Sequence, residues 1–410
     1  MKMTALEHLI SVEEARRRLL RAIRPVRRTE SIPLAQAVGR VASRPVRAPR
    51  PIPSFLRATW DGYAFRAADV KGASRSAPRS LRIVGELHAE ERLTRPIRAG
   101  ECVAIATGAA LPPGADTVEL FENVTLGEGE VSLTSPVGRG NGLAEPGEDI
   151  RRGQRLLERG DVLTPARIGA VGAIGADSVE VFARPTVVLV PNGNELVPPG
   201  GELAPGRIHE FNNFTLGALV SASGGIALPL PPVQDDPALI QGTLEGALRY
   251  ADLVLVTGGS SVGERDFLPT IFPRMGRLLF HGIKVRPGKP TLAATVGQKV
   301  MIGMPGHPTS CLSNGFWLLL PAIHKLASLP GDGTTLERAR LRVGHEGPTS
   351  GFASVVPVRV EDGWATPTYR GSSAITSLTT ANGYTLFGPR QGKVRRGAEV
   401  LVHRFPFPLG

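Results

Sequence analysis

"LVLVTGGSSVGERDF", residues 253–267, sets an apolar run directly against Thr257, Gly258, Gly259, Ser260, Ser261, Val262 and Gly263, with charged residues after them. The run predicts a strand buried on both faces, ending in a loop whose bare backbone faces outward. Upstream, "TVVLV" (186–190) is a second apolar strand bounded by prolines. "GRIHEFNNFTLGALVSASGG" then reads as a helix closing on two glycines, "IALPLPPV" as a short strand, and "PALIQGTLEGALRYA" as a helix opened by Pro237 after Asp235 and Asp236. Downstream, "TLAATV" and "KVMIGM" add strands, and "PTSCLSNGFWLLLPAIHKLA" adds a long apolar helix begun by Pro308. Strand and helix alternate at βαβ spacing, so residues 185–329 predict a parallel or mixed sheet covered by helices on both faces.

Around this segment the pattern changes. Residues 25–184 carry short β-like runs broken by Gly and Pro, among them "LRIVGELHAE", "ECVAIATGAALPPGADTVELFENV" and "EVSLTSPVG". They predict an irregular β domain at 48–153 within an N-terminal region of 1–184. Near the start, Ser11 and Glu14 have capping-box spacing, and Val12, Ala15, Leu19 and Ile23 follow at helical intervals. A helix over 5–24 packing on the α/β domain is therefore expected. From 330 to 410, alternating runs such as "ASVVPVRV" and "AEVLVHRF" predict a small all-β domain.

A chain of 410 residues exceeds what one core organises, in keeping with several domains. Its formal charge of +11 is concentrated at the front, where residues 1–60 hold thirteen Lys and Arg against four Glu. That segment serves either as a solvated basic face or as a polyanion surface. Aromatic residues are only 5% of the chain and none lies among the arginines up to Arg50, which leaves base stacking little to work with, so no nucleic acid is expected as a partner. Cys102 and Cys311 have neither C-x-x-C nor zinc-ligand spacing, which points to a reduced, cytoplasmic setting. No apolar run approaches the roughly 18 residues of a membrane helix, so no membrane association is expected.

Ligands of open α/β sheets bind beyond the carboxyl ends of the strands. There Gly258, Gly259 and Gly263 let backbone approach a ligand, and Ser260 and Ser261 offer hydroxyls suited to phosphate or another oxyanion. The same loop also reads as a plain turn at a strand end. A second such loop, "MPGHPTS" (304–310), places Pro305, Gly306, Pro308 and Ser310 at the start of a helix with free amides. Between the two, "VRPGKP" (285–290) braces Arg286 and Lys289 in a turn; the chain has only 7 Lys against 41 Arg. This turn reads either as an anion grip or as ordinary surface. Carboxylates follow the strands as well: Glu195 in "PNGNELV", Asp235 before a helix, and Asp266 past the glycine loop. Acidic groups beside a phosphate loop call for a divalent cation, and a hydrated Mg²⁺ is implied. Asp235 is equally placed to cap the helix opened by Pro237.

Taken in order, these motifs resemble the MoeA family of molybdenum-insertion proteins, which also forms the E domain of gephyrin. "ATWDGYAFRAADV" resembles the family's S-A-M-D-G-Y-A-x-R, "ATGAALPPGADTV" its T-G-A-x-x-P-x-G-A-D-x-V, and "GNGLAEPGEDIRRGQ" its G-x-N-x-x-x-x-G-E-D-x-x-x-G. "PNGNELVPPG", "VTGGSSVGERDF", "VRPGKPT" and "MPGHPTSC" stand where the family has T-G-D-E-L, G-G-x-S-x-G-x-x-D, K-P-G-K-P and P-G-x-P-x-S. The resemblance implies a multidomain α/β and β chain with a molybdopterin-binding central domain and a small C-terminal β-barrel. It implies Mg²⁺-dependent insertion of molybdate or tungstate into adenylylated molybdopterin with release of AMP. It also implies a homodimer whose cleft joins the sheet domain of one subunit to the β domain of the other. Asp61 and Thr107 would then face Asp266 and Lys289 as catalytic groups, with Glu195, Asp235 and Asp266 as metal ligands. The molybdopterin adenylyltransferase is a candidate partner; that adenylyltransferase activity itself, or a scaffold of the same fold, are the competing functions. The chain departs from the family at Trp60 for Met, at Asn192 and Asn194 for Thr and Asp, at Arg286 for a common Lys, and at His307 for a frequent Asn.

Overall fold

A computed structural model of the chain describes residues 9–260, 266–348 and 351–407; Ser261 and Gly263 lie outside them. The chain divides into two units, one comprising residues 33–38 and 44–179 and the other the remainder.

In the larger unit the α/β part runs, in chain order, α1 (Val12–Ala22), β1 (Thr186–Pro191), α2 (Asn212–Ala222), β2 (Ile226–Pro229), α3 (Pro237–Tyr250), β3 (Leu253–Thr257), α4 (Leu268–Met275), β4 (Arg277–His281), β5 (Leu292–Val296), β6 (Lys299–Met304), α5 (Pro308–Asn314) and α6 (Leu320–Leu326). The sheet has the order β2-β1-β3-β6-β5-β4. Its first four strands are parallel, β5 runs antiparallel to β6, and the edge strand β4 runs antiparallel to β5. Strand periodicity sends alternate side chains to opposite faces. Val187, Leu189, Leu253, Leu255 and Ile302 pack under α1, α2 and the segment 316–326. Val188, Val190, Val254, Val256 and Met301 pack under α3 and α4. Full burial of each such side chain contributes about 1.5–3 kcal/mol, which explains why these strands are apolar throughout. From β1 the chain steps to β2 on one side and then crosses to β3 on the other. This reversal opens a crevice at the carboxyl ends of β1 and β3, the place where such sheets take ligands.

Three local details differ from the sequence reading. The helix expected over 5–24 spans Val12–Ala22 among the described residues. Ser11 does cap α1, its hydroxyl accepting the Glu14 amide at 3.1 Å, but the Glu14 carboxylate turns to Arg17 and Arg18 and leaves the capping box half made. The helix expected from Pro308 onward is not uniform: a π-helical turn, Gly315–Leu319, separates α5 from α6. The Leu320 amide reaches back to the Gly315 carbonyl, and the wider turn lets the helix continue past Pro321, which has no amide to give.

Residues after 334 close into a five-stranded barrel. Strands Ala353–Glu361, Trp364–Pro367, Thr335–Leu341, Glu399–Arg404 and Gly383–Phe387 follow one another around it, and the last pairs with the first. Leu341, Val358, Phe387 and Val402 fill its core. The pair Val285–Arg286 adds parallel to Ala353–Ser354, which ties the "VRPGKP" turn to the barrel.

The smaller unit holds a six-stranded mixed sheet in the order Thr117–Leu120, Gly62–Phe65, Glu101–Ile105, Arg79–Leu87, Glu130–Leu133, Thr125–Leu126. Ala64, Val103 and Val118 face one core and Phe65, Cys102 and Leu81 the other. Glu101 lies buried at the start of its strand, accepting the Arg98 amide at 2.9 Å and pairing with Arg95 and Arg82. The Arg98 amide first, then the Arg95 guanidinium, hold its carboxyl down to about 2. Both cysteines are buried and unbridged, and burial pushes the Cys102 thiol up to about 12. Among the described residues no helix is long and apolar enough to cross a membrane.

Candidate functional site

A cleft of about 650 Å³ opens where the crevice between β1 and β3 meets the end of β6. At its floor Asn192 follows β1, with its amide bonded to the Thr257 carbonyl at 2.8 Å. Its carboxamide nitrogen donates to the Val233 carbonyl at 3.2 Å and to Asp235 at 3.1 Å. Asp235 also accepts the Asn194 amide at 3.3 Å, while its own amide bonds the Asn194 side chain at 3.0 Å. Asp235 thus clamps the loop after β1 and does not line the cleft. The cap of α3 is its neighbour Asp236, whose carboxylate accepts the Ala238 and Leu239 amides at 2.8 and 3.0 Å.

The glycine loop after β3 is built by close approach. Gly258 and Gly259 have φ of +88° and +61°, and a Cβ on Gly258 would sit 2.3 Å from the Asn192 carbonyl oxygen. The Met304 carbonyl at the end of β6 accepts both the Gly258 amide at 3.2 Å and the Ser260 hydroxyl at 3.3 Å. Ser260, expected as a hydroxyl donor to the ligand, is buried with that donor committed to Met304. Burial holds the His281 imidazole below the ordinary range, and its bond to the Ser260 backbone opposes that shift.

Pro305, Gly306, His307, Pro308 and Ser310 line the third wall. The Thr309 amide in the first turn of α5 is taken by the Ser372 carbonyl at 3.0 Å. Among the described residues three carboxylates line the cleft: Glu195, Asp266 and Glu210. Glu210 is buried, accepts the Asn213 amide at the start of α2 at 2.9 Å, and is pushed above the usual carboxylate range by desolvation. Among the described residues no Lys or Arg lines the cleft, and no three His, Cys, Asp or Glu gather as a metal cage.

Arg286 and Lys289 are exposed on the turn whose next residue, Pro290, lines the cleft. The Arg286 guanidinium lies 4.8 Å from the centre of the Phe352 ring. The Lys289 carbonyl accepts the Ile283 amide at 2.9 Å, so the backbone of the turn is fixed while the ammonium stands in solvent.

Asp61 and Thr107 belong to the smaller unit. Asp61 precedes the strand Gly62–Phe65 and Thr107 follows Glu101–Ile105. The pairing of those strands brings the two residues together, with the Asp61 carboxylate accepting the Thr107 amide at 2.7 Å and its hydroxyl at 3.0 Å. Both are exposed. These two bonds hold the Asp61 carboxyl below its ordinary value, the amide contributing most. Trp60 beside them is accommodated by Gly142, where a Cβ would lie 2.6 Å from the indole nitrogen.

Of the residues expected from sequence, the structure brings Glu195, Asp266, Gly258, Gly259, Ser260, Pro305, Gly306, Pro308 and Ser310 into one cleft, while Asp61, Thr107, Asp235, Arg286 and Lys289 do not line it. The sequence reading missed His209, Glu210 and Asn212, and treated Asn192 only as a departure from the family. Their one sequence signal is position, at or just after the end of a strand or at the head of a helix.

Comparison with known proteins bears on this site. Three family descriptions match in order: "MoeA N-terminal region (domain I and II)" over residues 10–175, "Probable molybdopterin binding domain" over 193–325, and "MoeA C-terminal region (domain IV)" over 347–405. The molybdopterin molybdenumtransferase of Haemophilus influenzae is 27% identical over 413 residues, spanning 98% of this chain and 100% of that one. That of Nostoc sp. is 32% identical over 313 residues, 73% of this chain and 70% of its own length. Two crystal structures of the molybdopterin biosynthesis MoeA protein of Pyrococcus horikoshii superpose with TM-scores of 0.85 and 0.83. They are 32% and 29% identical, cover 97% of this chain in each case, and are themselves covered to 99% and 100%.

Proposed function

The chain belongs to the MoeA family, and we propose that it acts as a molybdopterin molybdenumtransferase of molybdenum-cofactor biosynthesis, inserting molybdate into adenylylated molybdopterin with release of AMP. The observation that carries this reading is the cleft itself: a glycine loop at the switch point of the sheet, lined by Glu195 and Asp266, within the segment matched as a probable molybdopterin-binding domain. The backbone of Gly259 and of residues 305–307 is suited to phosphate oxygens. Lys289 and Arg286, standing beside Pro290, are suited to a tetrahedral oxyanion, molybdate or tungstate.

Glu195 and Asp266 are carboxylates beside a phosphate-type loop, a donor set that fits a divalent ion shared with an anionic nucleotide. Mg²⁺ is bound by one or two carboxylates together with substrate phosphates, and Glu195 and Asp266 would hold it. When bound, it supplies charge neutralisation at the phosphoanhydride. Asp235 orients the loop that carries Glu195. As part of the same reading the protein is a homodimer in which Asp61 and Thr107 of one subunit serve the partner's cleft.

Calorimetry tests the binding half of this proposal. Adenylylated molybdopterin should bind the purified protein more tightly with Mg²⁺ than without, and Glu195→Gln should erase most of that gain. Binding indifferent to Mg²⁺ in both proteins would remove the cation from the account.

A further inference from the structure

Among the described residues eight buried side-chain polar atoms have no hydrogen-bond partner, and three of them belong to residues lining the one cleft: Asn192 Oδ1, His209 Nδ1 and Asn212 Oδ1. A buried polar atom left unpaired is costly, so such a grouping calls for a ligand. The two carboxamides are not free to turn. Asn192 is 3% exposed, and its nitrogen is held by the Val233 carbonyl and Asp235. Its oxygen is therefore directed to the other side, 2.4 Å from where a Cβ on Gly259 would stand. The Asn212 nitrogen is held by the Gly306 carbonyl at 2.8 Å, which leaves that oxygen too as a pure acceptor. Around them the walls include Leu196, Ile208, Phe211 and Pro305, apolar surface suited to the faces of a flat ring.

We propose that Asn192 and Asn212 form an acceptor pole that selects the donor edge of an amino-substituted heterocycle, the amino and ring N–H groups of a pterin or the amino group of adenine. The proposal rests on the molybdopterin reading and adds to it the residues that discriminate the ring. Hydrated Mg²⁺ would also present donors, but the apolar walls suit a ring better than a shell of water.

Matched pairs of probes that exchange an amino group for an oxo group test it: 6-hydroxymethylpterin phosphate against its lumazine counterpart, and AMP against inosine monophosphate. Each is titrated calorimetrically into the full-length protein and into Asn192→Thr and Asn212→Ala, with circular dichroism verifying the fold. The wild type should prefer the amino member of at least one pair by roughly tenfold or more, because an oxo group set against a fixed acceptor leaves both unpaired. The pair that discriminates identifies which ring sits there, and either folded variant should lower the ratio toward one. Equal binding of both members of both pairs, or a preference unchanged in both folded variants, overturns the acceptor pole while leaving the molybdopterin reading standing. Loss of Mg²⁺ affinity in the variants with the preference intact assigns the oxygens to a hydrated ion and overturns it as well. Failure of every probe to bind the wild type at millimolar concentration contradicts the molybdopterin reading itself.

Discussion

Asp61 has its charge fixed by a single neighbour. The Thr107 amide and hydroxyl both favour its ionised form, so folding and ionisation of Asp61 reinforce each other. A carboxyl depressed in the folded state stabilises the fold above its unfolded value near 3.9, and that contribution fades as pH falls through the folded value. Thr107→Val removes one of the two bonds and should raise the Asp61 carboxyl toward its ordinary value without restoring it fully. NMR titration of the carboxyl carbon measures this directly; an unchanged titration would mean that the hydroxyl bond carries no weight. Glu101 follows the same sign with a different set of partners. Its carboxyl at about 2 makes the stability it lends fully present above about 4.3 and lost as pH falls toward 2. Urea unfolding between pH 3 and pH 6 should show a shallower pH dependence in Glu101→Gln than in the wild type. Residues of this kind mark where sequence reading stops. Glu195, Asp266 and the glycine loop were legible because chemically capable residue types follow an apolar strand. Asn192, His209 and Asn212 were not, because their part depends on which atoms the fold leaves unpaired. Asp235 was read as a metal ligand, but its bonds to Asn192 and Asn194, which exist only once β1 and α3 lie side by side, turn it to the loop and away from the cleft.

Among the elements, the turn 285–290 and the helix behind it depend on each other. The Asn314 side chain donates to the Gly288 carbonyl at 3.1 Å and to the Thr291 hydroxyl at 2.7 Å, and accepts the Trp317 indole N–H at 2.8 Å. Gly288 has φ of +106°, and a Cβ there would lie 2.4 Å from the Asn314 carboxamide. Gly288→Ala should therefore destabilise the protein by about 1–3 kcal/mol, read by urea unfolding. It should also weaken molybdate binding more than pterin binding, since the turn carries Lys289 and Arg286 and not the glycine loop. Equal loss of both ligands would show general damage in place of a displaced turn. The alternation of strands and helices was readable because each strand of the sheet centre is buried on both faces and so is apolar without a break. The π-helical turn at Gly315–Leu319 was not, because an apolar run containing one proline reads the same whether the helix ends, kinks or widens. The closed barrel, expected from the family resemblance, is found, but strand patterning alone did not carry it, since closure rests on pairing between Ala353–Glu361 and Gly383–Phe387, with Trp364–Pro367 lying between them in the chain.

At the scale of the whole molecule, the two halves of the proposed chemistry lie in different units: Asp61 and Thr107 in the smaller, and the cleft with Glu195 and Asp266 in the larger. In a homodimer that shares its clefts between subunits, a heterodimer of Asp61→Ala and Asp266→Asn chains has one site with both residues intact. Co-expression of differently tagged chains should then recover about a quarter to a half of wild-type activity, whereas verified heterodimers without activity would mean that Asp61 serves its own chain or only the fold. The central claim, that this cleft inserts the metal, is tested most directly by turnover. Purified protein is supplied with adenylylated molybdopterin, molybdate and Mg²⁺, and finished cofactor is measured by its ability to activate a cofactor-free molybdenum enzyme, with AMP release followed alongside. The wild type should form cofactor and AMP together, and Asp266→Asn, folded as judged by circular dichroism, should be slower by about a hundredfold or more. Wild-type turnover by that variant, or no cofactor formed by a folded wild-type protein that binds both substrates, would contradict it.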